Sequence, residues 1–334
     1  MKETIGQEHI YNSHLHYDEN LQSVQEGLNG TFNDLQEQQG EGSAHPWIKT
    51  GYEDLDKVLQ GWHPSDYILV GGLPSSGKTS LVLNFARNAA IEENCPVLFL
   101  SLDMPSSSLF QRLVVTESGL PLEKIGGCGK MEAYEWEALE YTTKKLYKAP
   151  LFVDDRVRLT ADDIGAIILN AREKHGIRLV IVDSLNLVQA PDEYLGQREQ
   201  EISAVSREFR KISKEQNIPI IATCQLNRDS RRRGGPPRLS DIRESSSLEY
   251  DADIVLLIRS NEEEGLSDNP EDFERRDIIV AKYRNGETMD IRMKFKAHLY
   301  KFVPADTSLD VYAPSISAAS SAMNDFDFNG ASDF

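Results

Sequence analysis

Short apolar runs and longer amphipathic segments alternate along the chain from Trp47 to about Pro304. Six of the runs have the length and apolar content of buried strands. They read DYILVGG, PVLFLSL, PLFVDD, RLVIVD, IPIIATCQ and ADIVLLI. Helical patterns such as LVLNFARNAAIEE and ADDIGAIILNAREKHG separate them. The alternation predicts an α/β domain over residues 46–304, with a mainly parallel central sheet flanked by helices.

The last part of this domain has a different pattern. RDIIVAKYRNGETMDIRMKF is typical of two strands joined at Asn285-Gly286, because this dipeptide suits the positive φ angles of a hairpin turn. LYKFVP, which follows, has the composition of one further strand. We therefore expect a C-terminal β-hairpin extension of the sheet.

The two ends of the chain differ from the domain between them. Residues 19–39 carry apolar positions at steps of three and four, which predicts a helix that Gly27 and Gly30 weaken. Its stripe consists of Leu21, Val24, Leu28, Phe32 and Leu35. We assign residues 1–45 to an acidic N-terminal segment that holds this linker helix. Residues 305–334, rich in Ser, Ala, Asn and Asp, are expected to form a disordered acidic tail.

Charge is spread unevenly along the 334 residues, whose formal net charge is −18. Residues 1–45 hold eight acidic residues and one lysine, and residues 304–334 hold five aspartates and no Lys or Arg. The central domain is therefore only mildly acidic, and the net charge says little about the partners of that domain.

Other composition features exclude several classes of protein. Three scattered cysteines without CxxC spacing favour reduced thiols over disulfides or a zinc site. His9, His14 and His16 lack a Cys or carboxylate at ligand spacing, which favours a solvated tail over a metal site. There is no apolar stretch of about 18 residues and no signal-peptide pattern. These features predict a cytoplasmic protein without a membrane span.

GLPSSGKTS matches the phosphate-loop pattern G-x-x-x-x-G-K-[ST], and it lies between a predicted strand and a predicted helix. Its glycines let backbone N–H groups turn towards phosphate, and the helix start adds positive potential. We expect Lys78 to reach the β- and γ-phosphates and Thr79 to ligate Mg²⁺. The expected nucleotide-binding residues are Gly72, Pro74, Ser75, Ser76, Gly77, Lys78, Thr79 and Ser80.

Polar residues at the ends of three other apolar runs are candidates for the same site. Asp183 ends RLVIVD, where a carboxylate can hold Mg²⁺ beside the phosphate loop. Gln225 ends IPIIATCQ and is either a sensor of the γ-phosphate or a strand-end residue satisfied by backbone. Asp103, in LFLSLDMP, is a candidate for orienting the attacking water.

Lys282 and Arg284 lie on the strand that runs into the Asn285-Gly286 turn. A cation at a hairpin tip is poorly placed for the phosphate loop of its own chain and well placed to reach a neighbour's. That is the geometry of an arginine finger acting in trans. The alternative is an ordinary charged hairpin.

An arginine-rich segment follows Gln225 within QLNRDSRRRGGPPRLSDIRESSS, residues 225–247. Residues 228–243 contain six arginines and only two aspartates, although the chain is acidic overall. This concentration indicates contact with a polyanion. The arginines are Arg228, Arg231, Arg232, Arg233, Arg238 and Arg243.

Together these motifs resemble the ATPase domain of the DnaB-type replicative helicases, a branch of the RecA-like P-loop NTPases. The resemblance covers about Thr50 to Pro304. Its segments, in the family's order, are TGYEDLDKVLQGWHPSD, PSSGKTS, SLDMPSS, VIVDSLNLV, CQLNR, DIRESSSLEYDAD and AKYRNG. It implies a ring hexamer that hydrolyses ATP or another NTP with Mg²⁺ between subunits and moves 5′ to 3′ along single-stranded DNA.

The resemblance also implies which residues contact DNA. In such motors, arginine-rich loops face the central channel, and the stretch matching RES, Arg243 to Ser245, contacts phosphates. Glu244 lies in this stretch, and Ser246 stands where the chain of the family passes close to DNA, so both join the six arginines as expected DNA-binding residues. Six copies of the basic segment would make a positive channel inside an acidic exterior.

Three features depart from the family pattern. Asp103 stands where the family usually has Glu, and the carboxylate is about 1.5 Å shorter in reach, which predicts slower hydrolysis unless the backbone compensates. Ser246 stands where the family often has Gly. The N-terminal collar domain of the family has no counterpart in this sequence, which puts primase docking through a collar in doubt. Primase, a helicase loader and a single-strand-binding protein are the candidate partners.

Two other functions fit parts of the sequence. A RecA-like recombinase shares the phosphate loop and Asp183 but does not account for AKYRNG. A weakly hydrolysing, DNA-binding regulator of a helicase fits Asp103. The acidic and aromatic end, AMNDFDFNGASDF, fits either a docking peptide for basic grooves or a solvated tail.

Overall fold

The computed structural model describes residues 23–25, 28, 47–127, 129–227, 229–233, 235–242, 247–260 and 273–305. The chain divides into two units, Met1–Pro46 and Trp47–Phe334. In the first unit, Val24, Gln25 and Leu28 have helical backbone and Ser23 does not. The other residues of the helix predicted over residues 19–39 lie outside the described residues. The three N-terminal histidines and the predicted tail from residue 306 onward also lie outside them.

In the described part of the second unit, ten strands form one sheet. Their bounds are β1 Tyr67–Gly72, β2 Val97–Ser101, β3 Leu151–Asp154, β4 Leu179–Asp183, β5 Ile220–Gln225, β6 Ile254–Ser260, β7 Glu274–Tyr283, β8 Met289–Ile291, β9 Met293–Lys296 and β10 Lys301–Pro304. The strand order is β10-β9-β7-β6-β1-β5-β4-β2-β3, and β8 pairs with β7. The strands from β6 to β3 in this order run parallel, which confirms the predicted mainly parallel sheet.

One helix precedes the parallel strands, and the other helices lie in the connections between them. Their bounds are α1 Glu53–Leu59, α2 Lys78–Arg87, α3 Ser106–Ser118, α4 Leu122–Ile125, α5 Ala133–Lys148, α6 Ala161–His175, α7 Arg198–Glu215, α8 Asp229–Arg233 and α9 Ser247–Asp251. α2 continues as a π-helical turn over Asn88–Glu92. Among the helices of the described residues, none combines the length and the apolar character needed to cross a membrane.

The parallel strands are covered on both faces, which explains why they read as continuous apolar runs. In β1, Ile68 and Val70 belong to one core with α2 and α3, whereas Tyr67 and Leu69 belong to a second core with α6 and α7. Successive side chains alternate in this way because they point to opposite faces of a strand. Each face of the sheet therefore has its own hydrophobic core.

The expected C-terminal extension is present and antiparallel, since β7 pairs with β8, and β9 pairs with both β7 and β10. Its turn is wider than the tight turn that Asn285-Gly286 predicts, because β7 ends at Tyr283 and β8 begins only at Met289. The Tyr283 ring occupies the space beside Gly286, where a Cβ would approach the ring to 2.5 Å.

Asn84 joins the C-terminal strands to the core of the domain. Its Oδ1 accepts hydrogen bonds from the Phe302 backbone N (2.8 Å) and the Tyr52 hydroxyl (3.2 Å), and its Nδ2 donates to the Tyr300 carbonyl (3.1 Å). The side chain is buried, so these polar groups depend on one another for partners. One amide thus links α2, β10 and the segment that leads into α1.

β10 also lies against the start of α2. Gly77 precedes α2 with φ +94°, and a Cβ at this position would approach the Phe302 ring to 3.1 Å. Phe302 packs in turn on Phe295, with ring centroids 4.6 Å apart. The C-terminal strands therefore support the loop that leads into α2.

Replacing Asn84 with Ala should lower the free energy of unfolding by about 2–4 kcal/mol, because three polar groups at a buried position lose their partner. Urea unfolding followed by circular dichroism measures this change. Gln111→Ala, at an exposed position of α3, is the control and should change the value by less than about 0.5 kcal/mol. An Asn84→Ala protein as stable as the wild type would show that other contacts hold β10.

Candidate functional site

The carboxyl ends of four strands lie along one edge of the sheet. β1 runs into the GLPSSGKTS loop, and its last residue, Gly72, lies opposite Gln225 at the end of β5. Asp183 is the last residue of β4 and lies opposite Ser101, the last residue of β2. Because parallel strands end at the same edge, this register brings together the loop, Gln225, Asp183 and the turn that follows β2.

The GLPSSGKTS loop requires glycine at two positions. A Cβ on Gly72 would lie 2.3 Å from Ser76 Oγ, and Gly77 has the positive φ of +94° that L side chains rarely adopt. α2 begins at Lys78, so the N–H groups of its first turn, which lack partners within the helix, border the loop. The loop and the helix start form a backbone surface suited to an anion.

Lys78 lies at the base of the loop. Its Nζ donates hydrogen bonds to the carbonyl oxygens of Gly72 and Leu73, both at 2.9 Å. Burial lowers the pKa of Lys78, and the carboxylates of Asp183 and Asp103 act in the opposite direction. The ammonium group is thus held by backbone oxygens within electrostatic range of both carboxylates.

Asp183 connects β4 to α2 and β5. Its carboxylate accepts one hydrogen bond from Thr79 Oγ1 at 2.7 Å and another from Thr223 Oγ1. The residue is only 3% exposed, and burial raises the pKa of its carboxyl, whereas the two hydroxyl groups and Lys78 lower it. Both carboxylate oxygens have a donor, which stabilises the charged form at this depth.

Thr223 is a site residue that the sequence pattern alone did not reveal. The available signal was a hydroxyl residue inside the apolar run IPIIATCQ, two positions before Gln225 and therefore on the same face of the strand. Threonine is common in strands because of its β-branched shape. The signal therefore does not separate a residue that positions Asp183 from one that only packs.

Asp103 lies in the turn after β2, two residues beyond the end of the strand. Leu102 N donates to the Asp183 carbonyl at 2.7 Å, and Ser101 Oγ donates to the Met104 carbonyl at 2.6 Å. These bonds shape the turn, and the side chain of Asp103 is exposed. The carboxylate therefore remains accessible to water and lies within electrostatic range of Lys78.

Several groups at this edge fit a phosphate ester and Mg²⁺. Ser76 Oγ is buried and, within the described residues, has no hydrogen-bond partner, which leaves a polar position for a ligand atom. Thr79 and Asp183 supply the oxygen ligands that Mg²⁺ prefers. Gln225 is exposed beside the loop, and its backbone N donates to Asn186 Oδ1 at 3.2 Å.

Groups of three or more His, Cys, Asp or Glu side chains that could hold a metal do not occur in the part of the chain that the structure describes. Mg²⁺ is commonly held by one or two carboxylates together with water and substrate phosphates. A hydroxyl and a single carboxylate therefore fit Mg²⁺ that arrives with a nucleotide.

Lys282 and Arg284 lie at the opposite edge of the sheet. β7 is antiparallel to β6, and Tyr283 lies opposite Ile254, the first residue of β6. Ile254 is level with Ile68 near the start of β1, whereas the loop follows the end of β1. At about 3.3 Å per residue these levels are on the order of 15 Å apart. The two cations are therefore beyond contact distance of the loop in their own chain.

The arginine-rich segment is partly helical, and Arg231 and Arg232 belong to α8. The Arg233 guanidinium donates to both carboxylate oxygens of Asp241, at 2.7 and 2.6 Å, and so braces the segment internally. This pairing lowers the pKa of the Asp241 carboxyl. Arg232 and Arg238 are exposed. The remaining DNA-binding candidates, Arg228, Arg243, Glu244 and Ser246, lie outside the described residues.

The parallel sheet, the loop between β1 and α2, and the Thr79–Asp183 pair at the carboxyl edge define the chain as a RecA-like P-loop NTPase fold. Residues 47–304 match the family described as the DnaB-like helicase C terminal domain. The chain belongs to this family.

Individual relatives agree with this assignment. The chain is similar to the replicative DNA helicase DnaB of Leifsonia xyli subsp. xyli, with 37% identity over 256 residues that cover 76% of this chain and 55% of the relative. It resembles the solved ATPase domain of G40P, with a TM-score of 0.75 and 26% identity over 85% of this chain and 99% of that one.

A second solved structure, of a DnaB-like replicative helicase described with its interactions with primase, has a TM-score of 0.74 and 25% identity. The match covers 84% of this chain and 68% of that one. The chain spans about half the length of the curated relatives that it matches.

Replacing Asp241 with Asn should loosen the arginine-rich segment, because the Arg233 guanidinium keeps only a neutral partner. We expect the amides of α8 to exchange with deuterium about tenfold faster at neutral pH. The pKa of Asp241 is lowered in the folded protein. The ion pair of Arg233 with Asp241 should therefore persist at every pH above the ordinary pKa of a carboxyl, and weaken only as the pH falls through the lowered pKa of Asp241. Asp290→Asn, at an exposed position, is the control. Unchanged exchange in Asp241→Asn would rule out the brace.

Proposed function

We propose that this chain is the motor of an ATP-dependent DNA helicase that assembles as a hexameric ring and moves 5′ to 3′ along single-stranded DNA. Family membership and the phosphate loop support hydrolysis of ATP or another NTP. The observation that carries the proposal is the position of Lys282 and Arg284 at the edge opposite to the loop. A site divided in this way is complete only where two copies meet. A head-to-tail contact repeated by each copy forms a ring when the rotation between successive copies closes.

Within one copy, the phosphate loop binds and orients the nucleotide. Lys78 and the N–H groups at the start of α2 stabilise negative charge on the β- and γ-phosphates. Thr79 and Asp183 are the residues that hold Mg²⁺, which neutralises phosphate charge when it is bound. Asp103 orients the attacking water and accepts its proton.

The adjoining copy supplies the remaining positive charge. In this proposal Arg284 of one copy reaches the γ-phosphate bound by the next copy and stabilises the charge that develops during transfer to water. Lys282 lies two residues earlier, near the end of β7, and adds to the positive potential there.

The arginine-rich segment connects this chemistry to DNA. Leu226 and Ile242 form a β-bridge, and Asn227 N donates to the Asp241 carbonyl at 2.7 Å, so the two ends of the segment are joined directly after Gln225. A displacement of Gln225 that follows loss of the γ-phosphate would therefore be transmitted to the whole segment. The exposed Arg232 and Arg238 are suited to bind the DNA backbone, which needs positive charge and no sequence readout.

An apolar groove of about 200 Å³ lies between α3 and α5. Its lining includes Phe110, Leu113, Val114, Leu146 and Tyr147. Phe110 and Tyr147 are 48% and 79% exposed, and Val24 and Leu28 of the stripe are 80% and 64% exposed. Apolar side chains on both surfaces gain from mutual burial. We propose that the stripe of one copy packs into the groove of the next.

The same proposal indicates which partner proteins to test. The relative described with primase makes primase the first partner to test, followed by a helicase loader and a single-strand-binding protein. Pull-down with the tail residues 322–334 present or deleted separates a docking peptide from a solvated tail.

The purified protein with ATP and Mg²⁺ should unwind a forked duplex that has a 5′ tail and leave a fork with only a 3′ tail intact. Lys78→Ala should reduce hydrolysis and unwinding by about 100-fold or more, because the β- and γ-phosphates lose their main cation. DNA-stimulated hydrolysis without unwinding of either fork would favour a helicase-regulating ATPase. Filaments in place of rings in negative-stain images would favour a recombinase.

Asp103→Asn should lower the rate of ATP hydrolysis by about 100-fold, because the water loses its proton acceptor. Asp103→Glu should keep or raise the rate, since the longer side chain extends the carboxylate towards the phosphate. Steady-state hydrolysis with saturating single-stranded DNA measures both variants, and Asp192→Asn, at an exposed position, is the control. If Asp103→Asn turns over at the wild-type rate, another residue orients the water.

Phe110→Glu should weaken ring assembly as strongly as deletion of residues 1–40, because both remove one side of the same apolar contact. Light scattering at several protein concentrations measures the mass distribution. Leu169→Glu on α6, which is 45% exposed, is the matched control and should leave assembly unchanged. A normal mass distribution for Phe110→Glu would show that the stripe packs elsewhere.

A further inference from the structure

Lys282 and Arg284 are both bound to the end of α9. Lys282 Nζ donates a hydrogen bond to the Ala252 carbonyl at 2.7 Å and another to the Glu249 carbonyl. The Arg284 guanidinium donates to the Tyr250 carbonyl. Carbonyl oxygens at the end of a helix lack partners within the helix and carry partial negative charge, so they attract cations. Both cations are therefore fixed relative to α9.

Asp253 is the second holder of Arg284. Arg284 N donates to the Asp253 carbonyl at 3.0 Å, and Arg284 Nε lies 3.5 Å from Asp253 Oδ1. The other carboxylate oxygen, Oδ2, accepts hydrogen bonds from Tyr67 N at 2.9 Å and from the Arg210 guanidinium. The buried carboxylate is thus anchored to α7 and to the first residue of β1 while it faces Arg284.

We infer that Asp253 is a positioning residue for Arg284 and, with the carbonyl oxygens at the end of α9, holds its guanidinium ready to enter the phosphate site of another copy. Arg284 is suited to this because 43% of its side-chain surface is exposed even though one side is bound. A long side chain that is already ordered loses less conformational entropy when it binds. The inference rests on the proposed function, in which Arg284 acts on a neighbour.

A purely structural role for Asp253 predicts a different defect. Because its carboxylate also binds Tyr67 and Arg210, its loss could disturb β1 and, through β1, the phosphate loop of the same chain. A positioning role leaves that loop intact and affects only the site in the neighbour. The two roles therefore differ in which copy carries the defect, and mixtures of variants separate them.

Asp253→Asn keeps the size of the side chain and removes the charge that faces Arg284. Its kcat for ATP should fall roughly 100-fold, while its affinity for ADP stays at the wild-type value. In an equal mixture with Lys78→Ala, hydrolysis should recover to roughly a quarter of the wild-type rate, because that share of contacts joins an intact loop to a correctly held Arg284. Energy transfer between labelled copies verifies co-assembly.

Reference mixtures define the two classes of defect. Arg284→Ala with Lys78→Ala should recover to the same extent, whereas Asp253→Asn with Arg284→Ala should not, since both lack the same function. Asp183→Asn with Lys78→Ala should also fail to recover, because both are defective at the loop. Asp253→Glu moves the charge by about 1.5 Å and replaces Asp253→Asn if that variant does not fold. It should show a smaller loss and the same pattern of recovery.

Two results would overturn the inference and leave the proposed function standing. In the first, mixing with Lys78→Ala restores hydrolysis to Arg284→Ala but not to Asp253→Asn. In the second, Asp253→Asn has the wild-type kcat. Failure of Arg284→Ala and Lys78→Ala to recover one another, in mixtures shown to co-assemble, would overturn the proposed two-chain site and the inference with it.

Discussion

A carboxylate removed from water needs a donor for each oxygen, and Asp183 obtains both donors from threonine hydroxyls, on Thr79 and Thr223. These hydroxyls belong to α2 and β5, so one buried charge holds together the ends of two strands and the start of the helix after the loop. The turn that carries Asp103 depends on the same residue, because Leu102 N donates to the Asp183 carbonyl. This charge is buried at the place where Mg²⁺ is proposed to bind, and the two hydroxyl groups counter part of the effect of burial on the pKa of Asp183.

The direction of the strands separates the two halves of the proposed catalytic site. Every parallel strand delivers its carboxyl end to the edge that holds the phosphate loop, and the antiparallel return of β7 delivers Arg284 to the other edge. Asp253 joins these two halves within one chain, since it faces Arg284 and accepts a hydrogen bond from the first residue of β1. In a ring, each copy would then have its sheet between the nucleotide it binds and the nucleotide it helps to hydrolyse.

The six parallel strands could be predicted because burial on both faces leaves an unbroken apolar run, and the phosphate loop could be predicted because its local backbone dictates its residues. The roles of three other residues, Thr223, Asn84 and Asp253, could not be predicted. Each makes a hydrogen bond to a residue that is distant in the sequence, by 40, 218 and 186 residues respectively. Local patterns do not encode such pairs. The pairing of Arg233 with Asp241 could not be predicted for a related reason, because a run of arginines does not show which of them forms the ion pair with an aspartate. The catalytic roles of Lys78, Asp103 and Arg284 stay predictions.

The support of the phosphate loop by β10 has a consequence for how the chain is made. Phe302 lies against Gly77, and its backbone N is bound by Asn84, which precedes it by 218 residues. At synthesis rates of roughly 5–20 residues per second, the loop leaves the ribosome on the order of 10–40 s before the strand that supports it. A nascent chain therefore carries the loop without its support, and the loop is completed together with the hairpin that bears Arg284. A chain that ends before β10 therefore lacks both the contact of Phe302 with Gly77 and the hydrogen bond to Asn84.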